Sequence, residues 1–142
     1  MKSLFSPFRS FDIMDPRVSS VLFVLRVVAG LGFMFHGYRK ILNPFDWMGP
    51  EAFAPSIFQA LAALSEFGGG FAWIIGLLTP LASLGIASTM AVAVAVHVFN
   101  GDPFVGARSF ELPLVYFVVA IALIVIGPGR YSCDAKIFKP KK

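Results

Sequence analysis

From Val18 to Ile41 apolar residues dominate a stretch that, at about 1.5 Å of helical rise per residue, is long enough to cross a hydrocarbon core about 30 Å thick. Soluble cores rarely contain such a run. It is interrupted by Arg26, His36 and Lys40. At about 100° per residue, Arg26, Gly30, Gly37 and Lys40 fall within a sector of about 80°, with His36 on its flank. The pattern predicts a membrane helix carrying one small, polar stripe.

Asp15-Pro16 reads as an N-cap followed by proline in the first helical turn, so the first span is expected to start there. Ile41 to Ser56 holds Asn43-Pro44, Gly49-Pro50 and Pro55, which break a spanning helix. Phe45, Trp47, Met48 and Phe53 suit a membrane-water boundary. A second span, less apolar, contains Gln59, Glu66 and Gly68-Gly69-Gly70, a run that permits close helix contact. Thr79-Pro80 repeats the cap-then-proline signal and predicts a tight hairpin. The third span sets Ser83, Ala87, Ala91 and Ala95 at four-residue spacing, a small-residue seam, and reaches His97 near its end. A polar loop from Asn100 to Ser109 leads to a fourth span that Gly127-Pro128-Gly129 stops.

The expected fold is all-α, an integral membrane four-helix bundle running up-down-up-down. The expected spans are 17–40, 57–78, 81–99 and 110–127, within a unit covering 16–129. Residues 1–15, with Phe5, Phe8 and Phe11 spaced beside Arg9 and Asp12, read as an interfacial arm or a disordered one with aromatic anchors, and 130–142 as a basic soluble tail. With 57% apolar and 14% charged residues, no large soluble module fits. The formal charge of +4 gathers at the ends, at Lys2, Arg9, Arg17, Arg130, Lys136, Lys139, Lys141 and Lys142. The opposite side has only Arg39, Lys40 and Arg108, so both termini are expected in the cytoplasm. No recognition motif accompanies the charge, and no nucleic-acid partner is expected. The late start of the apolar run and Arg26 within it argue against a cleaved signal peptide. Cys133 is a single cysteine, which excludes an internal disulfide or a CxxC redox pair and reads as a solvated thiol.

Intramembrane charges are costly, about 2.5–3.5 kcal/mol each on insertion scales, and call for partners. Helical rise places Arg26 about 13 Å from one face and Glu66 a similar distance from the other, so the two are expected to meet near mid-membrane. Two readings stay open for them: an ion pair locking the first two helices, or part of a functional site. His36, Lys40, His97 and Glu111 form a second set near the opposite face, to which Glu66 adds a member. A histidine beside a carboxylate passes protons near neutral pH, and a lysine fixes a polar headgroup. Each histidine also has a plain reading as an interfacial residue bonded to a loop, and Glu111 as a carboxylate at a helix N-terminus. His36, His97, Glu66 and Glu111 are acceptable metal ligands by type, but Arg26 and Lys40 add opposing positive charge. No nucleotide loop, hydrolase elbow or haem motif is present, so no self-contained catalytic motif is assigned.

In order along the chain, Arg26, His36-Gly37-x-x-Lys40, Gly49-Pro50-Glu51-Ala52-Phe53, Glu66-x-x-Gly69-Gly70, His97, Glu111 and Gly127-Pro128-Gly129-Arg130-Tyr131-Ser132 with Asp134 resemble the DoxX family of small four-span membrane proteins. The resemblance covers about 17–135; the chain departs from it in its longer aromatic arm and in Thr79-Pro80, where a basic residue more often follows the threonine. It implies a multi-pass protein of a bacterial inner membrane with cytoplasmic ends and an association with redox chemistry, since some relatives belong to thiosulfate:quinone oxidoreductase systems and others to complexes handling thiol and oxidative stress. On this basis the leading expectation is a membrane subunit that binds a quinone or similar lipophilic molecule and works with a soluble or membrane oxidoreductase. Arg26 and Glu66 would form the deep pair, His36 and His97 would bond a ring carbonyl, and Lys40 and Glu111 would tune their charge. The alternatives are a noncatalytic scaffold for soluble oxidoreductases, and a small transporter or lipid-binding protein, for which a homo-oligomer would be required.

Overall fold

Asp15 accepts the backbone N–H of Arg17 and Pro16 opens the helix, so α1 starts where the cap signature puts it and runs Pro16–Leu42. The computed structural model describes residues 15–138; the aromatic arm and the terminal lysines from Lys139 lie outside it. The remaining helices are α2 (Ser56–Ile75), α3 (Thr79–Phe99), α4 (Glu111–Ile126) and a short α5 (Cys133–Ile137), and no strand occurs among the described residues. Alpha-helices 1 to 3 are long and apolar enough to span a membrane, and α4 is a shorter apolar helix. Successive helices pack against one another, α1 on α2, α2 on α3 and α3 on α4. One end of the bundle carries the start of α1, the α2–α3 turn and α5 (the terminal end); the other carries the two long connections (the loop end).

The exterior is apolar. Val28, Leu64, Leu84, Val118 and Phe99 are all exposed, the surface expected of a protein solvated by lipid, and the chain is a multi-pass membrane protein. The interior is built around Phe33 and Trp73, whose rings meet edge-on at 5.5 Å, with Tyr116 tilted against Phe33 at 4.5 Å. Ile86, Ala120 and Leu123 complete this layer. Trp73 Nε1 donates to Ser83 Oγ at 2.8 Å, so the ring's one polar atom is satisfied inside the bundle.

The α1–α2 contact is close enough for backbone to meet backbone. A Cβ on Gly70 would fall 2.7 Å from the Gly30 carbonyl oxygen and 2.9 Å from Phe33 Cβ, so the two backbones touch there directly. The expected seam on α3 is only partly used: Ser83 and Ala87 are buried, whereas Ala91 is exposed.

Two expectations at the terminal end are corrected. Thr79 does not cap α3. The cap position is Leu78, a non-glycine residue at φ 48°, and the Thr79 hydroxyl is buried with no partner. The cap comes from 55 positions away: Asp134 accepts the N–H groups of Leu78 at 2.7 Å and of Thr79 at 2.8 Å, while its own N–H donates to the Gly76 carbonyl at 2.9 Å. Nor is the segment after Arg130 a free tail. Arg130 N–H donates to Ser19 Oγ, Ser132 Oγ donates to the Gly129 carbonyl, and Arg26 donates to the Tyr131 carbonyl. Exposed helix N–H groups seek an acceptor, and the nearest strong one is this carboxylate rather than a side chain of the turn. Asp134→Ala is expected to cost about 1–2 kcal/mol, read as a lowered thermal midpoint in detergent.

Candidate functional site

Glide of α1 against α2 decides which intramembrane charges meet. Gly37 packs against Glu66 and Phe67, and Gly30 against Gly70 and Ile74. In this register α2 begins farther out at the loop end than α1 finishes, so Glu66 stands level with Lys40 and Arg26 level with the last turn of α2. The expected Arg26–Glu66 pair is therefore not made.

Arg26 is fully buried at the terminal end. It donates from one terminal nitrogen to the Trp73 carbonyl at 3.0 Å and from the other to the Tyr131 carbonyl. A planar fork that satisfies two main-chain oxygens from different segments holds the Gly127–Asp134 segment onto the bundle. Arg26 is thus a clamp between α2 and the segment that follows α4.

Lys40 Nζ donates to Glu66 Oε1 at 2.6 Å and lies 4.3 Å from the centre of the Trp47 ring. The Glu66 side chain is 3% exposed and that of Lys40 25%. The connection between α1 and α2 is fastened over this pair by Gln59. Its Oε1 accepts Met48 N–H at 3.1 Å, its Nε2 donates to the Ala54 carbonyl at 3.0 Å, and its own carbonyl accepts Trp47 Nε1 at 2.9 Å. Glu66 Oε2 has no partner although it is buried. A carboxylate with one oxygen bonded and one bare inside a low-dielectric site is costly unless something else supplies a donor.

Glu66 and Lys40 lie on a groove of about 1360 Å³ between α2 and α3. Its walls are small or apolar, with Ser65 against Gly85 and Leu61, Leu81 and Val92 exposed at its edges, so it opens to the lipid side. His97 lines the same groove. Its Nδ1 lies 2.7 Å from Asp102 Oδ2, in the loop that turns back after Asn100-Gly101.

Of the six residues singled out from sequence, Lys40, Glu66 and His97 share this groove, whereas Arg26 lies in the clamp and His36 and Glu111 are exposed on the surface. The four-residue metal set is not assembled, for His36 and Glu111 point away from the interior, Glu66 is held by Lys40 and His97 by Asp102. No group of three or more His, Cys, Asp or Glu side chains arranged for a metal occurs among the described residues. Three participants were not recognised from sequence. Gln59 registered only as a polar residue in a span; Trp47 as an interfacial aromatic; and Asp102, five positions after His97, has as its signal the Asn100-Gly101 turn that folds the loop back.

A family model described as DoxX matches residues 21–98, the stretch that carries Arg26, Lys40, Glu66 and His97. The chain belongs to the DoxX family. Among its relatives, the inner membrane protein YqjF of Escherichia coli K12 is 32% identical over 117 residues, covering 82% of this chain and 85% of that protein. An uncharacterized protein of Haemophilus influenzae is 30% identical over 119 residues, covering 81% of this chain and 89% of its own length. No solved structure matches the chain significantly. The alignments span most of each protein.

Proposed function

We propose that this DoxX-family protein is a membrane subunit that binds a quinone or a similar lipophilic redox molecule in the α2–α3 groove and works with a separate electron-donating protein. The observation that carries the reading is the bare, buried Glu66 Oε2 beside Lys40, midway along a groove that opens to lipid. A polar head reaching that oxygen from the bilayer would find charge and hydrogen-bonding capacity, while an isoprenoid or acyl tail would lie along the α2 and α3 walls. The group would supply the electron chemistry. Glu66, Lys40 and His97 would bind and orient its head, and the His97–Asp102 pair would move a proton between the groove and the loop. Trp47 and Gln59, by fastening the connection over Lys40, would limit water. Lys and Arg distribution supports cytoplasmic termini in a bacterial inner membrane, and with that orientation the loop end of the groove would face the outer leaflet.

The reading is tested by mass spectrometry of small molecules retained by protein purified in native lipid particles. A redox lipid is expected to be enriched on the native protein and lost from a Glu66→Gln, His97→Ala variant that folds equally well. Folding and retention lost together would make the Lys40–Glu66 pair a packing device, and no enrichment on the native protein would favour a scaffold for soluble oxidoreductases.

A further inference from the structure

Among the side chains that line the groove, the buried polar atom without a partner is an acceptor. Glu66 Oε2 has no donor, and its sister oxygen is already taken by Lys40. At His97, Nδ1 faces an Asp102 carboxylate oxygen at 2.7 Å. An ionised carboxylate only accepts, so Nδ1 carries the hydrogen in that contact. Gln59, an amide that lines the groove, has both its Oε1 and its Nε2 engaged in holding the loop. Lys40 is a donor that bonds Glu66 and lies against the Trp47 face, and its side chain is a quarter exposed, whereas that of Glu66 is almost wholly buried. An unmade hydrogen bond weighs most where water is excluded, so the bare Glu66 oxygen dominates the choice of head.

A ring carbonyl brought to that oxygen would set acceptor against acceptor. A hydroxyl would complete it. From the Glu66 level to the end of α2 the groove follows the helix for about 14 Å, room for the start of a hydrocarbon tail. We propose that the groove takes an amphiphile whose head brings hydroxyl donors, and therefore holds a quinol in preference to the corresponding quinone, an inference that rests on the redox-lipid reading above.

The test is competitive binding of decyl-benzoquinol, decyl-benzoquinone and monolauroylglycerol to the detergent-solubilised full chain, kept anaerobic and followed by native mass spectrometry. On the native protein the quinol is expected to bind at least about tenfold more tightly than the quinone. Glu66→Gln adds an amide donor at the same place, and is expected to bring the two affinities together or invert them. Because the first comparison uses the native protein alone, it decides even if the variant folds poorly. Quinone bound as tightly as quinol, or more so, would overturn the donor requirement and leave the redox-lipid reading standing. Monolauroylglycerol bound with neither benzoquinone form would overturn the redox reading while supporting the donor requirement. No binding of any of the three would overturn both.

Discussion

Arg26→Met is expected to destabilise the bundle by about 3–5 kcal/mol, measured by equilibrium unfolding in mixed micelles on titrating with dodecyl sulfate. The guanidinium is completely buried and is the described donor that ties the Tyr131 carbonyl to the helices. Methionine fills part of the volume but leaves that carbonyl without a partner, and the loss of shape opens a void beside Trp73, whose carbonyl is the other anchor. Arg26→Lys is not expected to restore stability, because a single ammonium cannot present two parallel donors to oxygens of different segments. The damage should be directional. The Gly127–Asp134 segment should become sensitive to protease, while retention of a lipid at the loop end falls only as far as the folded fraction falls.

Gly70→Leu should be as severe and by a different route. A Cβ there already meets backbone atoms of α1, the Gly30 oxygen at 2.7 Å and Met34 N at 3.0 Å, and neither can swing aside as a side chain would. The helices must separate, and the Phe33–Trp73 contact next to the crossing separates with them. Overpacking of a tight core typically costs about 1–3 kcal/mol, and a full leucine wedged between backbones exceeds that range. Gly68→Ala, two positions away, is the control: its Cβ would meet only Leu64 of the same helix at 3.2 Å, and alanine is the better helix former by about 1 kcal/mol. The same unfolding assay should thus report opposite signs for two members of one glycine run.

What could be read from sequence was the part of the fold that depends on local spacing. The Asp15-Pro16 start, the polar stripe of α1 and the contact-forming glycines each follow from residues within a few turns of one another. Arg26, Gly30 and Gly37 do occupy the buried face, with Lys40 at its end. The pairing of charges did not follow, because it depends on how far α2 slides along α1, and equal spans give the wrong level for Glu66. Lys40 was in the candidate set, but its partner is chosen by the contact between Gly37 and Glu66. His36 illustrates the other failure: on the flank of the stripe, a rotation of part of a turn is enough to face it outward. Asp134 was visible as part of a family pattern, yet nothing in its neighbours says that it caps a helix begun 55 positions earlier.

That cap also imposes an order on manufacture. Asp134 leaves the ribosome after the hairpin it completes, so during synthesis α3 enters the bilayer with the N–H groups of Leu78 and Thr79 still seeking an acceptor and Leu78 in an unfavoured backbone geometry. A chain interrupted before the clamp can have all its apolar helices and still lack a finished end. The stability of a turn made early in the chain thus depends on a residue added 55 positions later.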